Sequence, residues 1–118
     1  MPVYQRLSEN NRPEWCKVTS AGTFRVPRGI VESDKHYHDC DEYWLIFKGQ
    51  ATVMSEGKRY QVKPGDIVCI RAGDEHGVVD VTEDLESFWF CDATPPGGRT
   101  GRLHRRPEDA KGHGVAAG

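Results

Sequence analysis

The chain has 118 residues and a mass of 13.3 kDa, with 36% hydrophobic and 29% charged side chains, which leaves room for one hydrophobic core and not two. Its longest unbroken apolar run, Tyr43 to Phe47, is far too short to cross a bilayer as a helix, and the first fifteen residues, with Arg6, Glu9, Arg12 and Glu14 among them, hold no apolar secretory core, so a cytoplasmic protein is expected. A formal charge of -2, from sixteen basic and eighteen acidic residues, gives no electrostatic case for a nucleic acid or an anionic membrane as partner.

Residues 1–23 carry no clear periodicity and read as a segment in which Trp15 and Val18 cover one end of the core. From Phe24 to Asp92 the pattern is all-β: short runs rich in Val, Ile, Tyr, Trp and Phe are separated by Gly, Asp and Lys. The predicted strands are Phe24 to Val26, Ile30 to Glu32, Lys35 to His38, Glu42 to Lys48, Ala51 to Ser55, Arg59 to Val62, Ile67 to Arg71, Gly77 to Val81 and Glu86 to Cys91. Their spacing suits an antiparallel sandwich or barrel, and no helical period intervenes that would build a parallel sheet.

Two connections have a stated chemistry. Ser55-Glu56-Gly57-Lys58 places Gly where a tight hairpin needs positive φ, and Lys63-Pro64-Gly65-Asp66 sets Pro then Gly at the central positions of a type II turn. The strand from Glu42 to Lys48 is apolar on both faces, with Trp44 and Ile46 on one and Tyr43, Leu45 and Phe47 on the other. A strand with one wet face alternates with polar residues. This one is therefore expected to be covered twice, by the barrel interior and by a second subunit in a homodimer.

Cys16, Cys40, Cys69 and Cys91 form no CxxC pair or zinc-ribbon spacing, and reduced thiols used as small apolar residues are expected. Residues 93–118 hold five basic residues against two acidic ones, run through Pro95-Pro96-Gly97-Gly98, and show no period. That composition reads as a basic, mobile tail, or an arm that orders on a partner.

The histidines carry the chemical signal. His36 and His38 are separated by one residue, which on a strand sends both imidazoles to one face. Glu42 lies four residues further on and can return its carboxylate to the same side across a short bend, and His76 arrives at the start of a later strand. Three imidazoles and one carboxylate suit Fe, Mn, Ni, Co or Zn, with coordination positions left open for water or substrate.

In the stretch GIVESDKHYHDCDEYWLIFKG, residues Gly29, His36, His38, Glu42 and Gly49 resemble the first motif of the cupin superfamily. Gly65, Gly73 and His76 in GDIVCIRAGDEHGVVD resemble the second. Six residues rather than five separate Gly29 from His36, Arg71 stands where the family usually has proline, and Asp80 stands where it usually has asparagine. The fifteen residues between Gly49 and Gly65 match the short linker of compact members.

The resemblance implies a small single-domain cupin: an all-β, antiparallel jelly-roll barrel, or double-stranded β-helix, over residues 24–92. It also implies one divalent transition metal per chain on His36, His38, Glu42 and His76. The expected activity is metal-centred catalysis of dioxygenase, isomerase or lyase type on a small, polar, oxygen-rich metabolite, with non-catalytic binding or sensing of a sugar or carboxylic acid as the alternative. Asp80 is a candidate carboxylate behind the ligands or a general base, Arg71 a candidate clamp for a substrate carboxylate or phosphate, and Tyr60 a further candidate acid–base group. For Asp80 a turn cap, and for Arg71 a solvated strand end, are the competing readings. Tyr37 should point away from the histidines by alternation. Asp39, Asp41 and Glu75 flank the ligands as solvated carboxylates, Trp44 and Trp89 fill or line the cavity, and His104 and His113 in the tail are given no role.

Overall fold

The computed structural model describes residues 1–112. They form five antiparallel strands, β1 (Ser20–Val26), β2 (Glu42–Ser55), β3 (Lys58–Val62), β4 (Ile67–Ile70) and β5 (His76–Cys91), followed by a short 3-10 helix at Pro107–Gly112. The strand order is β1-β5-β2-β3, with β4 also paired to β2. No helix among the described residues is long and apolar enough to cross a membrane.

β2 and β5 organise the rest. The N-terminal half of β2 lies between the C-terminal half of β5 and β4, with Trp44 opposite both Trp89 and Val68. Its C-terminal half lies between the N-terminal half of β5 and β3, with Val53 opposite both Val78 and Tyr60. Each long strand spans two runs that the sequence pattern separates, because the gap between them is a bulge and not a turn. The register slips between Ile46 and Thr52, which bends the ribbon and lets one strand serve two walls of the barrel.

Gly49 permits that bend. It adopts φ 89°, and a Cβ placed there would lie 2.0 Å from the Asp84 carbonyl oxygen, so both the conformation and the approach of β5 require a residue without a side chain. Both named turns form. Asp66 N–H donates to the Lys63 carbonyl at 3.1 Å with Gly65 at φ 96°, and Glu56 and Gly57 take φ 49° and 77° in the hairpin between β2 and β3.

The predicted strands at Ile30 to Glu32 and Lys35 to His38 shrink to isolated bridges, Glu32 to Val79 in the first and His36 to His76 and Tyr37 to Leu103 in the second. Between those bridges Val78 N–H donates to the Ser33 hydroxyl at 2.8 Å, and this side-chain acceptor takes a bond that a continuous ladder would have used.

The core is made by Phe24, Val26, Trp44, Ile46, Val53, Val81, Leu85 and Trp89 with their neighbours, and Phe24 meets Trp44 edge-on with ring centroids 5.0 Å apart. The alternation along β2 holds: Trp44 and Ile46 are 3% exposed, whereas Tyr43, Leu45 and Phe47 are 41%, 37% and 45% exposed. Trp15 stays exposed. The N-terminal contact to the barrel comes instead from Leu7, bridged to Ala21, and from the Arg6 guanidinium, 5.6 Å from the Trp89 ring centroid.

The close approach at Gly49 has a measurable consequence. Gly49→Ala must pay for strained φ and for displacing β5 backbone, and should destabilise the chain by roughly 2–5 kcal/mol in urea denaturation. A change within experimental error would show that the bend does not depend on this contact.

Candidate metal centre

His36, His38, Glu42 and His76 arrive from three parts of the chain. His36 and His38 sit on the extended segment before β2, Glu42 opens β2, and His76 opens β5. The His36 N–H donates to the His76 carbonyl at 3.1 Å, and the His76 N–H donates back to His36 at 2.8 Å. This reciprocal pair brings the two rings to 4.5 Å, and the His38 ring lies 4.8 Å from that of His36. One ligating nitrogen from each of the three histidines lies within 4.8 Å of the others.

All three rings are oriented in the same way. Nδ1 of His36 faces the Asp34 carbonyl at 2.8 Å, Nδ1 of His76 the Asp74 carbonyl at 2.9 Å, and Nδ1 of His38 the Gly101 carbonyl at 2.9 Å. A carbonyl only accepts, so each Nδ1 carries the proton and donates it, and each Nε2 is left with a lone pair. Glu42 Oε1 lies 3.3 Å from His76 Nε2 and 3.6 Å from His38 Nε2, and both Glu42 Oε1 and His76 Nε2 are buried without a hydrogen-bond partner. Buried polar atoms are nearly always satisfied, and lone pairs gathered in this way suit a cation. The donor set fits a divalent transition metal.

Glu42 is held on its other oxygen by the Cys91 thiol, which donates to Oε2 at 3.7 Å. Contact with Cys40 and burial push the Cys91 thiol far up, so it remains a donor. Burial alone would raise the Glu42 carboxyl. The positive charge that the adjoining His76, His38 and His36 carry when protonated outweighs it and holds the group below its ordinary range. All four cysteines are free thiols.

The site opens on a cavity of about 310 Å³. Its inner wall is aromatic, with Phe24, Trp44 and Trp89, and its rim carries Glu9, Asp92, Arg99 and Arg102. Trp44 and Trp89 thus both fill the core and line the cavity.

Asp80, Tyr60 and Arg71 are not brought to this cavity. Asp80 stands on the outside of β5 at φ 47°, its carboxylate paired with Arg59 at 3.0 Å. Aspartate and asparagine tolerate that left-handed conformation better than most residues, which accounts for the side-chain type at this position without any catalytic role. Tyr60 is 52% exposed on β3, and Arg71, exposed, pairs with Asp74 at 3.5 Å.

Nor are the flanking carboxylates merely solvated. Asp39 accepts from Arg99, through the backbone N–H at 2.8 Å and Nε at 3.0 Å, Asp41 accepts from Ala72 N–H at 2.8 Å, and Glu75 lies 3.9 Å from Arg106. Tyr37 does face away from the ligands, with the guanidiniums of Arg99 and Arg105 each 5.9 Å from its ring centroid.

Three groups that orient the imidazoles escape the motif reading altogether, the Asp74 carbonyl behind His76 among them. Asp34, buried, orients His36 through its carbonyl and binds Arg102 at 3.1 Å and His104 at 2.9 Å through its carboxylate. Gly101 orients His38. The offset of two that places Asp34 behind His36 and Asp74 behind His76 was available as a signal, but nothing local points to Gly101. His113 lies outside the described residues.

His36 makes the metal-free site sensitive to acid. Burial first, then the neighbouring His76, His38 and Arg102, push its pKa down from 6.5 to about 3, against a raising contribution from the Asp34 carbonyl. The unfolded chain therefore takes up a proton between about pH 6.5 and about pH 3 that the folded chain refuses, and stability falls as pH drops through that window. Urea denaturation of metal-free protein at about pH 7, 5.5 and 4 should show the decline, and His36→Asn should flatten it.

The cupin-domain family model matches residues 22–91. A curated protein of Sinorhizobium fredii, the uncharacterized protein y4oW, is 42% identical over 57 residues, which is 48% of this chain and 26% of that protein, so the chain spans about a quarter of that relative's length. Among solved structures, the DMSP lyase DddQ of Ruegeria pomeroyi superposes with a TM-score of 0.68 at 20% identity, over 79% of this chain and 46% of that one. A cupin 2 conserved barrel protein of Salinispora arenicola superposes with a TM-score of 0.60 at 26% identity, over 75% and 73%. The antiparallel jelly-roll, the motif residues at its open end and the family match over most of the barrel together place this chain in the cupin family.

Proposed function

We propose that this cupin binds one divalent transition metal (Fe, Mn, Ni, Co or Zn) on His36, His38, Glu42 and His76, and uses it to transform a small, polar, oxygen-rich metabolite. The observation that carries the reading is the common orientation of the three imidazoles, each with Nδ1 tied to a carbonyl, with one ligating nitrogen of each within 4.8 Å of the others and an unpartnered Glu42 oxygen beside Nε2 of His38 and His76. When bound, the ion supplies Lewis-acid polarisation of a chelating substrate. The chain contributes the rest. Its aromatic wall, Phe24, Trp44 and Trp89, excludes water behind the reacting group. The reaction belongs to the dioxygenase, isomerase or lyase type, and the similar DMSP lyase structure is consistent with the last of these. The four free thiols fit a cytoplasmic location.

One observation favours a second reading, a non-catalytic cupin that binds or senses a sugar or carboxylic acid. The three residues whose chemistry best suited acid–base or clamping work, Asp80, Tyr60 and Arg71, all lie off the cavity. Under that reading the metal holds a ligand and no proton needs to move.

Elemental analysis of protein purified without added metal or chelator tests the site common to both readings. Wild type should carry close to one equivalent of metal per chain and His76→Ala should carry almost none. Equal content in the two, after reconstitution by titration, would remove His76 from the ligand set.

The outer face of β2, β4 and β5 bears on assembly. Cross-strand pairing sets Tyr43 opposite Phe90, and Leu45 opposite Phe88 and Ile67, and Phe47 packs on Phe88 at 5.2 Å. A contiguous exposed apolar face of this kind marks an interface, and a second copy of the chain is the occupant in this reading. Sedimentation should report a dimer at micromolar concentration that Leu45→Glu converts to monomer. A monomeric wild type would leave the face without this explanation.

A further inference from the structure

Residues 97–106 lie beyond the barrel strands, and the reading above does not say why they are held against the site. They turn back on the barrel through Pro95-Pro96-Gly97-Gly98: Gly98 N–H donates to the Pro95 carbonyl at 2.8 Å with Gly97 at φ 81°, the type II arrangement. The segment is then fastened at successive points. Arg99 binds Asp39, and Leu103 exchanges two backbone hydrogen bonds with Tyr37, at 2.8 and 2.9 Å. Arg102 and His104 bind the buried Asp34. Arg105 binds Glu56 and donates to the Gly73 carbonyl at 2.9 Å. Arg99 to Arg102 then form part of the cavity wall.

Between these anchors, Gly101 at φ 82° offers its carbonyl to His38 Nδ1. His36 and His76 each take their acceptor from two residues upstream in their own segment. His38 does not. Its acceptor lies 63 residues downstream, and without it the ring is free to turn and to move its proton to Nε2, which removes the ligating lone pair.

We infer that residues 99–105 form a strap belonging to the metal centre, in which the Gly101 carbonyl sets the orientation and tautomer of His38, and that metal affinity depends on surface contacts of the strap that never touch the ion. The inference rests on the metal-binding reading above. Arg105 is the positioning residue that tests it, because it is exposed, does not line the cavity and holds the strap to Glu56, to the Gly73 carbonyl and against the Tyr37 ring.

The experiment uses the full chain. Zn²⁺ affinity is measured by chelator competition, and the His38 tautomer is read from ring ¹⁵N shifts in the metal-free protein, for wild type, Arg105→Glu and Arg105→Lys. Arg105→Glu sets like charges against Glu56 and Glu75. It should bind Zn²⁺ roughly 10- to 100-fold more weakly, the range for loss of a group that orients a ligand. It should also show His38 exchanging between tautomers while His36 and His76 remain fixed, and Arg105→Lys should restore both readouts.

Wild-type affinity in Arg105→Glu would overturn the strap and leave the metal site standing. A wild type that binds no Zn²⁺ would overturn the metal reading, and a His38 tautomer unchanged in Arg105→Glu would then overturn the strap as well. Should Arg105→Glu fail to fold, Tyr37→Leu, which removes the ring flanked by both guanidiniums, takes its place with the same expected and overturning results.

Discussion

The two backbone hydrogen bonds between His36 and His76 join what would otherwise be unrelated stretches of chain. One end of that bridge is the segment leading into β2 and the other is the first residue of β5, so the strands that build the barrel leave from the place where its chemistry is held. Everything else at the open end is arranged around the bridge. His38 follows two residues later on the same face, Glu42 reaches the gathered nitrogens from the start of β2, and Trp44 packs beneath His76 with centroids 5.8 Å apart. An apolar floor under a polar cluster raises the cost of any unpaired charge there. That is why His36 is held neutral and why the carboxylate among the rings matters.

Much of this was legible in the sequence, for identifiable reasons. The spacing of His36, His38, Glu42 and His76 survives folding because Glu42 and His76 open β2 and β5, His36 is tied to His76 by backbone pairing, and His38 follows two residues on. The turn at Lys63-Pro64-Gly65-Asp66 and the hairpin at Glu56-Gly57 were readable because the residue types meet a φ requirement that few others meet. The alternation from Tyr43 to Phe47 was readable because both faces carry large side chains.

The misplacement of Asp80 has a local cause. Counting by twos from His76 puts it in the cavity, but Gly77, Val78 and Val79 are buried in succession and Asp80 is left-handed, so the two-residue period is broken before it arrives. A bulge is invisible to a parity argument, which is also why β2 and β5 were each divided in two. The strap was missed differently. Pro95-Pro96-Gly97-Gly98 has the same Pro-Gly grammar as the turn at Pro64-Gly65, but in a stretch rich in Gly and Arg that signal is swamped by composition. The anchors that fix it are single residues on distant loops, and no periodicity announces them.

The bond from His38 to Gly101 carries an obligation that runs in both directions. Linkage requires that two equilibria which share a free energy influence each other equally. If seating the strap favours the ion, the ion must favour the seated strap by the same factor, so occupancy at the bottom of the cavity is reported at its rim. The rim residues Arg99 and Arg102 would then be better ordered with metal bound than without it. On that reading, the part of the cavity wall formed by residues 99–102 is coupled to the presence of the ion.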